Sequence, residues 1–139
     1  MASELLVKSG ENQSLDDFVS ALRSLLGCDH WEQRESANYV DERYYRCVAL
    51  GVEITAAIAD DIEFKDWPLR LHFEPDGAIV GDKKGLDGLA ECVARALVLQ
   101  SYEVLRPNDF GRTGSGATLY QLNENKGVKP RDRVKVVTI

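Results

Sequence analysis

The chain lacks the features that mark membrane and secreted proteins. Its 139 residues contain no apolar run long enough to cross a bilayer, and the first residues lack the basic region and cleavage site of a secretory signal. The three cysteines, Cys28, Cys47 and Cys92, stand at unrelated spacings, so we expect free thiols, mostly buried as small hydrophobes. The sequence therefore predicts one domain over residues 1–139, located in the cytoplasm, with no membrane contact.

Ligands for metals and phosphates are also scarce. Cys28 and His30 stand close together, but a tetrahedral metal site needs two further ligands, and His72 is the only other imidazole. The glycine-rich stretch at residues 111–116 lacks the Lys-Ser/Thr pair of a P-loop and the third small residue of a dinucleotide fingerprint. We expect no metal and no cofactor, and we interpret the stretch as a flexible loop.

No nucleophile, base and orienting group stand in a recognisable catalytic pattern. His72 next to Glu74 in a strand pattern, and His30 next to Asp29 in a loop, are the positions where a carboxylate could orient a base. We predict that the protein is not an enzyme and has no catalytic residues. A small enzyme using His72 or His30 with its neighbouring carboxylate stays open as an alternative, and so does a non-catalytic adaptor.

Periodicity predicts helices at residues 14–27 and 86–100, where apolar residues recur at helical spacing. Ser14 is a typical N-cap and Gly27 a typical end of the first helix. Alternation with a period of two predicts strands, some of them weak. These strands lie at residues 31–40, 43–50, 51–59, 69–74, 101–105, 118–122 and 134–138. The expected fold is α+β, an antiparallel sheet of about four to six strands covered by two amphipathic helices.

Charge is distributed unevenly. Residues 1–82 carry 17 acids against 7 bases, whereas residues 83–139 carry 6 acids against 10 bases. An acidic body predicts a basic macromolecular partner and repels nucleic acid. The basic residues near the end could form a separate surface, pair with the acidic body, or face acidic parts of the partner. They are Lys126, Lys129, Arg131, Arg133 and Lys135.

The densest acidic segment joins two predicted strands at residues 60–68. A loop that combines carboxylates with large aromatic rings can bind a partner through an apolar anchor ringed by charge. The alternative is that the acids form a solvated turn and that at least one ring points into the core. The predicted partner-binding residues are Asp60, Asp61, Glu63, Phe64, Asp66 and Trp67.

The run RESANYVDERYY at residues 34–45, continued by GVEI at residues 51–54 and by the acidic loop, resembles small bacterial immunity proteins of contact-dependent growth inhibition systems. The resemblance covers roughly residues 31–75 and supplies no residue-by-residue interface. It implies a non-catalytic protein that neutralises a cognate toxin C-terminal domain, often a nuclease, by tight binding. The basic end of the chain departs from a uniformly acidic immunity protein.

Overall fold

The computed structural model describes residues 2–11, 13–49, 51–60, 64–76, 83–108, 116–124, 127, 129 and 132–139. They form eight strands and two α-helices. In chain order these are β1 (Ser3–Ser9), α1 (Leu15–Leu26), β2 (Glu32–Glu35), β3 (Arg43–Ala49), β4 (Val52–Ile58), β5 (Leu69–Pro75), α2 (Lys83–Leu99), β6 (Tyr102–Pro107), β7 (Ala117–Leu122) and β8 (Val134–Thr138). The α+β class is confirmed. The prediction of four to six strands is wrong, because the sheet has eight.

Helix α1 begins and ends where the sequence predicts. The Ser14 hydroxyl accepts a hydrogen bond from the backbone N–H of Asp17 at 3.1 Å, which satisfies one of the free amides of the first turn. Gly27 ends the helix in the left-handed conformation, at φ 65°, which glycine adopts without steric cost. The apolar stripe of the helix is buried against the sheet through Phe18, Leu22 and their neighbours.

All eight strands pair in one antiparallel sheet in the order β2-β3-β4-β5-β1-β6-β7-β8. Strands β2 to β5 form the expected meander. Strand β1 then lies in the middle of the sheet, between β5 and β6. The residues that pair with β1 lie far along the chain, from Leu69 opposite Val7 to Leu105 opposite Leu6. Forming these pairs therefore requires the closure of long loops.

Strand β1 was not predicted, and its burial explains why. Leu5, Leu6 and Val7 are all fully buried, because both faces of this central strand are covered. A strand buried on both faces carries a continuous apolar run and not an alternating one. The pattern of period two that reveals the other strands is therefore absent here.

The two helices cover the same face of the sheet. Their apolar residues and one side of β1, β3, β4, β5, β6 and β7 make up the main hydrophobic core, which includes Phe18, Phe73, Leu97 and Tyr120. On the opposite side, called here the open face, the described residues form one small apolar cluster. That cluster consists of Leu6, Leu105 and Ala117, packed against Ala59, Phe64, Trp67 and Leu119.

The prediction of three free thiols is wrong. Cys28, which follows α1, is joined by a disulfide to Cys47 on β3. Cys92 on α2 is free and exposed, so it is not buried as a small hydrophobe. The spacing of 19 residues between the paired cysteines has no recognisable signature, because the pairing depends on where the segment after α1 lies relative to β3.

Strand β2 ends at Glu35 instead of continuing to Val40. The backbone N–H of Ser36 donates to the carbonyl of Glu42 at 2.9 Å and closes a loop at residues 36–42. Asp41 and Glu42 both have φ 57°, a conformation that breaks the alternation of a strand.

Among the residues that the structure describes, no helix is long and apolar enough to cross a membrane.

Candidate functional site: a cleft on the open face

The open face carries a cleft of about 230 Å³ above the centre of β4 and β5. Alternation along each strand places its polar residues on this face, because the residues between them point into the main core. The 36–42 loop supplies one wall. The lining residues are Glu4, Tyr39, Tyr44, Glu53, Thr55, Arg70, His72 and Glu74.

His72 lies between two carboxylates in this cleft. Its Nε2 is 2.8 Å from Oε1 of Glu74, two residues along β5, and its Nδ1 is 3.5 Å from Oε2 of Glu4. Glu4 is the directly opposite residue on β1. The Glu4 contact is the largest influence that raises the pKa of His72, and Glu74 adds to it against the opposing effect of burial. The imidazole is thus biased toward its charged form.

Glu4 is unusual because it is a carboxylate with a side chain only 5% exposed. Its Oε2 lies within the ion-pair distance of His72 but makes no hydrogen bond to any residue that the structure describes. A buried carboxylate is costly unless a cation or a donor faces it. The buried Glu4 carboxylate therefore has His72 as its cationic neighbour and keeps an oxygen that accepts no hydrogen bond within the described part of the chain.

Arg70 connects the cleft to the acidic loop. Its Nη1 is 3.7 Å from Oδ1 of Asp60, and its guanidinium carbon lies 5.7 Å from the centre of the Tyr39 ring. Tyr39 in turn stacks on Tyr44 of β3 at 4.4 Å between ring centres. Burial is the main cause that raises the pKa of Tyr39. One guanidinium thus joins the acidic loop to the 36–42 loop.

A row of ion pairs borders the cleft toward the edge of the sheet. The Nε of Arg46 donates to Oε1 of Glu53 at 2.7 Å, and its Nη1 lies 3.9 Å from Oε2 of Glu32. Arg34 binds the same Glu32 oxygen at 3.0 Å. Glu53 has Arg46 as its ion-pair partner. The other two carboxylates of the cleft, Glu4 and Glu74, share the single imidazole of His72.

The acidic loop is fastened to the open face by its aromatic residues. The backbone N–H of Ala59 donates to the carbonyl of Pro68 at 2.8 Å and closes the loop. Phe64 and Trp67 are half-buried in the small apolar cluster, and Nζ of Lys8 lies 5.6 Å from the centre of the Trp67 ring. Both rings therefore pack on the sheet, while part of each stays accessible.

The carboxylates of the loop differ from its rings. Asp60 has a side chain 66% exposed, and Asp66 is exposed as well. Asp61 and Glu63 lie outside the described residues. The glycine-rich stretch interpreted as a flexible loop also lies outside them, except for Gly116.

The two histidines, each predicted as a possible base beside a carboxylate, lie in different environments. His72 lies in the cleft with two carboxylates, whereas His30 is exposed in the connection after α1. Cys28 is bonded to Cys47 and cannot serve as a thiolate ligand beside His30. Within the described ranges, no three histidine, cysteine or carboxylate side chains are grouped so as to hold a metal ion.

Sequence reasoning missed Glu4, Tyr39, Tyr44 and Arg70 as site residues. Tyr39 was interpreted as part of a longer strand, and the turn-forming Asp41 and Glu42 were the local signal for the loop that carries it. Glu4 had no such signal, because only strand pairing brings β1 beside β5. Chemically, the cleft can exchange a proton at His72 or bind a cationic group.

Comparisons with protein-family models, with characterised proteins and with solved structures found no significant match to this chain.

Proposed function

We propose that this protein is an immunity protein that binds and neutralises a cognate, basic toxin domain of a contact-dependent growth inhibition system. The observation that carries the proposal is the junction at Arg70, where the acidic loop and the 36–42 loop meet through Asp60 and Tyr39. Two segments singled out separately in the sequence therefore form one continuous surface. We infer that this surface, on the open face, is the interface.

The chemistry of the surface supports binding to a basic protein. Tyrosine, tryptophan and arginine dominate the energetics of protein interfaces, and Tyr39, Tyr44, Trp67 and Arg70 all lie on this face, each partly exposed. Exposed carboxylates around them attract a basic partner and speed its encounter, at rates up to ~10⁸ to 10⁹ M⁻¹s⁻¹ at low salt. In this proposal the acids Asp60, Asp61, Glu63 and Asp66 steer the partner, and Phe64 and Trp67 hold the loop in place and add contact area.

An immunity protein of this kind also has an expected location and expected partners. The protein acts in the cytoplasm, where a delivered toxin meets its target, and it needs no cofactor and no direct contact with nucleic acid or membrane. If the toxin is a nuclease, its basic substrate-binding surface is the one that an acidic inhibitor can cover.

The test uses the toxin domain encoded immediately upstream of this chain. We expect a stable complex whose association rate falls steeply as salt rises. Reversing Asp60, Asp61, Glu63 and Asp66 to lysine should slow association by roughly tenfold or more at low salt, because the steering charges change sign. Stopped-flow mixing measures the rate.

The matched control reverses four exposed acids outside the loop and the cleft, which changes the net charge by the same amount. These acids are Glu11, Asp17, Asp29 and Glu124. A rate that falls equally in both variants would show that net charge alone matters and would remove the loop from the interface. A chain encoded in a metabolic operon, with no upstream toxin, would argue against the immunity function itself.

A specific observation favours a second candidate, a small enzyme. His72 has two carboxylates within reach and lies in a cleft, as a general acid or base does. Replacing His72 and His30 by glutamine separates the two candidates. Neutralisation of the toxin should survive the replacements, whereas catalysis by a histidine should not.

A further inference from the structure

We propose that the cleft receives the guanidinium group of one arginine side chain, and that His72 is the internal cation that occupies the same carboxylates when the cleft is empty. The assignment to a guanidinium depends on the cleft alone. That the arginine belongs to the bound toxin domain rests on the proposed function.

The first argument is the balance of charge among the lining residues. Glu53 is paired with Arg46, and Arg70 is paired with Asp60. Glu4 and Glu74 have the same imidazole between them. When His72 is neutral, these two carboxylates face one cleft without a cation between them, and a cation from outside would remove their mutual repulsion.

A buried carboxylate oxygen in the cleft lies 3.5 Å from Nδ1 of His72 and still has capacity to accept hydrogen bonds. Oε2 of Glu4 is buried and makes no hydrogen bond within the described part of the chain. A guanidinium carries five N–H donors in one plane, so it can bind Glu4 and Glu74 with different N–H groups. The cavity of about 230 Å³ has room for a planar head group, since one water occupies only about 30 Å³ of liquid.

The aromatic wall of the cleft already contacts one guanidinium, that of Arg70. Arg70 lies over the Tyr39 ring, which shows that the aromatic wall is compatible with this group at short range. An ammonium ion is a more strongly hydrated point charge and uses planar, aromatic surroundings less well.

His72 makes the site sensitive to pH. The groups that face it are Glu4 from β1, Glu53 and Thr55 from β4, Arg70 and Glu74 from its own strand, and Tyr39 and Tyr44 from the 36–42 loop and β3. Its raised pKa means that the imidazolium persists above the usual value of 6.5 and competes with an incoming cation. Affinity for a guanidinium should therefore increase as pH rises through that pKa, by at most about tenfold per pH unit.

The experiment titrates the whole protein with N-acetyl-arginine amide and follows the backbone and side-chain NMR signals of the cleft. The control probe is N-acetyl-citrulline amide, which has the same shape without the charge. We expect millimolar binding of the arginine probe at about pH 8, weaker binding at about pH 6, and no binding of the citrulline probe. Equal responses to both probes, or none to either at tens of millimolar, would overturn the inference.

Variants locate the site. Glu4 is buried, so its substitution also perturbs folding, whereas the side chain of Glu74 is 53% exposed. Glu74→Gln should lower the affinity for the arginine probe by about three- to tenfold. The matched control is Glu103→Gln, an ion-paired carboxylate on β6 of the same face outside the cleft, and it should leave the affinity unchanged. His72→Gln should remove the dependence on pH between about 6 and 8 while binding persists.

The inference and the proposed function fail in different ways. Binding of the upstream toxin domain without any competition from the arginine probe, and without any change of the cleft signals, would overturn the assignment of the arginine to the toxin and leave the immunity function standing. Specific binding of the probe in a chain that has no toxin partner would support the cleft assignment and remove the immunity function.

Discussion

At the scale of single residues, His72 illustrates how strand pairing changes the chemistry of a side chain. The neighbour visible in the sequence, Glu74, is the more exposed of its two carboxylates. The buried one, Glu4, comes from β1 near residue 1 and is the largest cause of the raised pKa of His72. A surface histidine beside an acid becomes, through β1, a histidine between two acids.

This environment makes folding stability depend on pH. The pKa of His72 is raised in the folded protein, so its ion pairs stabilise the protein fully below the unfolded value of about 6.5 and are lost as pH rises through the higher folded value. In the His72→Gln variant, the decrease in unfolding free energy between about pH 5.5 and pH 8 should become smaller. Urea denaturation at the two pH values measures it. An unchanged difference would mean that other groups cause the pH dependence.

At the scale of elements, α1 is attached to β3 at both of its ends. In its first turn, the Asp16 carboxylate accepts hydrogen bonds from the Tyr45 hydroxyl and, at 2.8 Å, from Nη1 of Arg43. The hydrogen bond from Tyr45, followed by that from Arg43, lowers the pKa of Asp16. Beyond its last turn, Cys28 is bonded to Cys47 on the same strand. The helix is therefore held by polar and covalent contacts as well as by its apolar stripe.

The local signals of α1 lead to a second prediction. Ser14→Ala removes the acceptor for the Asp17 amide and should lower the free energy of unfolding by about 1 kcal/mol. The matched control is Ser20→Ala at an exposed position inside the helix, where alanine is the better helix former and should be neutral or stabilising by a few tenths of a kcal/mol. Equal destabilisation by both substitutions would contradict the capping role. Thermal or urea denaturation measures the difference.

Among elements, prediction succeeded where the signal is local. The period and the caps of α1 lie within its own residues or next to them, and the meander from β2 to β5 follows from consecutive strand patterns with no helix between them. It failed for β1, whose apolar run has no alternation, and for the end of β2, where the 36–42 loop turns over the open face. The cleft depends on both of these elements, so the site could not be derived although His72 was identified.

At the scale of the whole molecule, the two edges of the sheet differ in charge, because β2 carries three charged residues and β8 carries one. All four residues of β2 are exposed, and β8 carries the exposed Lys135. Charged edge strands prevent pairing with strands of other chains. Lys129, Arg133 and Lys135 form no ion pair with any described carboxylate, whereas Lys126 and Arg131 lie outside the described residues. For the three described residues, this favours a separate basic surface over internal pairing with the acidic body.

The disulfide stabilises the folded protein because it restricts the conformations that the unfolded chain can adopt. For a separation of 19 residues, breaking it should lower the free energy of unfolding by about 3 kcal/mol. We expect this loss in the Cys28→Ser/Cys47→Ser variant, measured by urea denaturation, and no comparable loss in Cys92→Ser, which removes the free and exposed thiol.

A thiol titration of the unfolded, unreduced protein checks the premise directly and should find one free thiol. Three free thiols would contradict the disulfide. Disulfides persist mainly in oxidising compartments, whereas the proposed location is the cytoplasm. The same titration on protein taken from a reducing cytoplasm shows whether the disulfide is present there.

The sequence by itself determined the class of the fold, the position and the ends of α1, most strand segments and the unequal charge of the two halves. These properties depend on neighbouring residues, through helical or strand periodicity, capping and net charge. Only the tertiary structure decided that β1 lies at the centre of the sheet, that Cys28 meets Cys47, and that Glu4 and Tyr39 line the same cleft as His72. These contacts join residues far apart in the chain, and their formation depends on the closure of long loops around a common core, which no local pattern specifies.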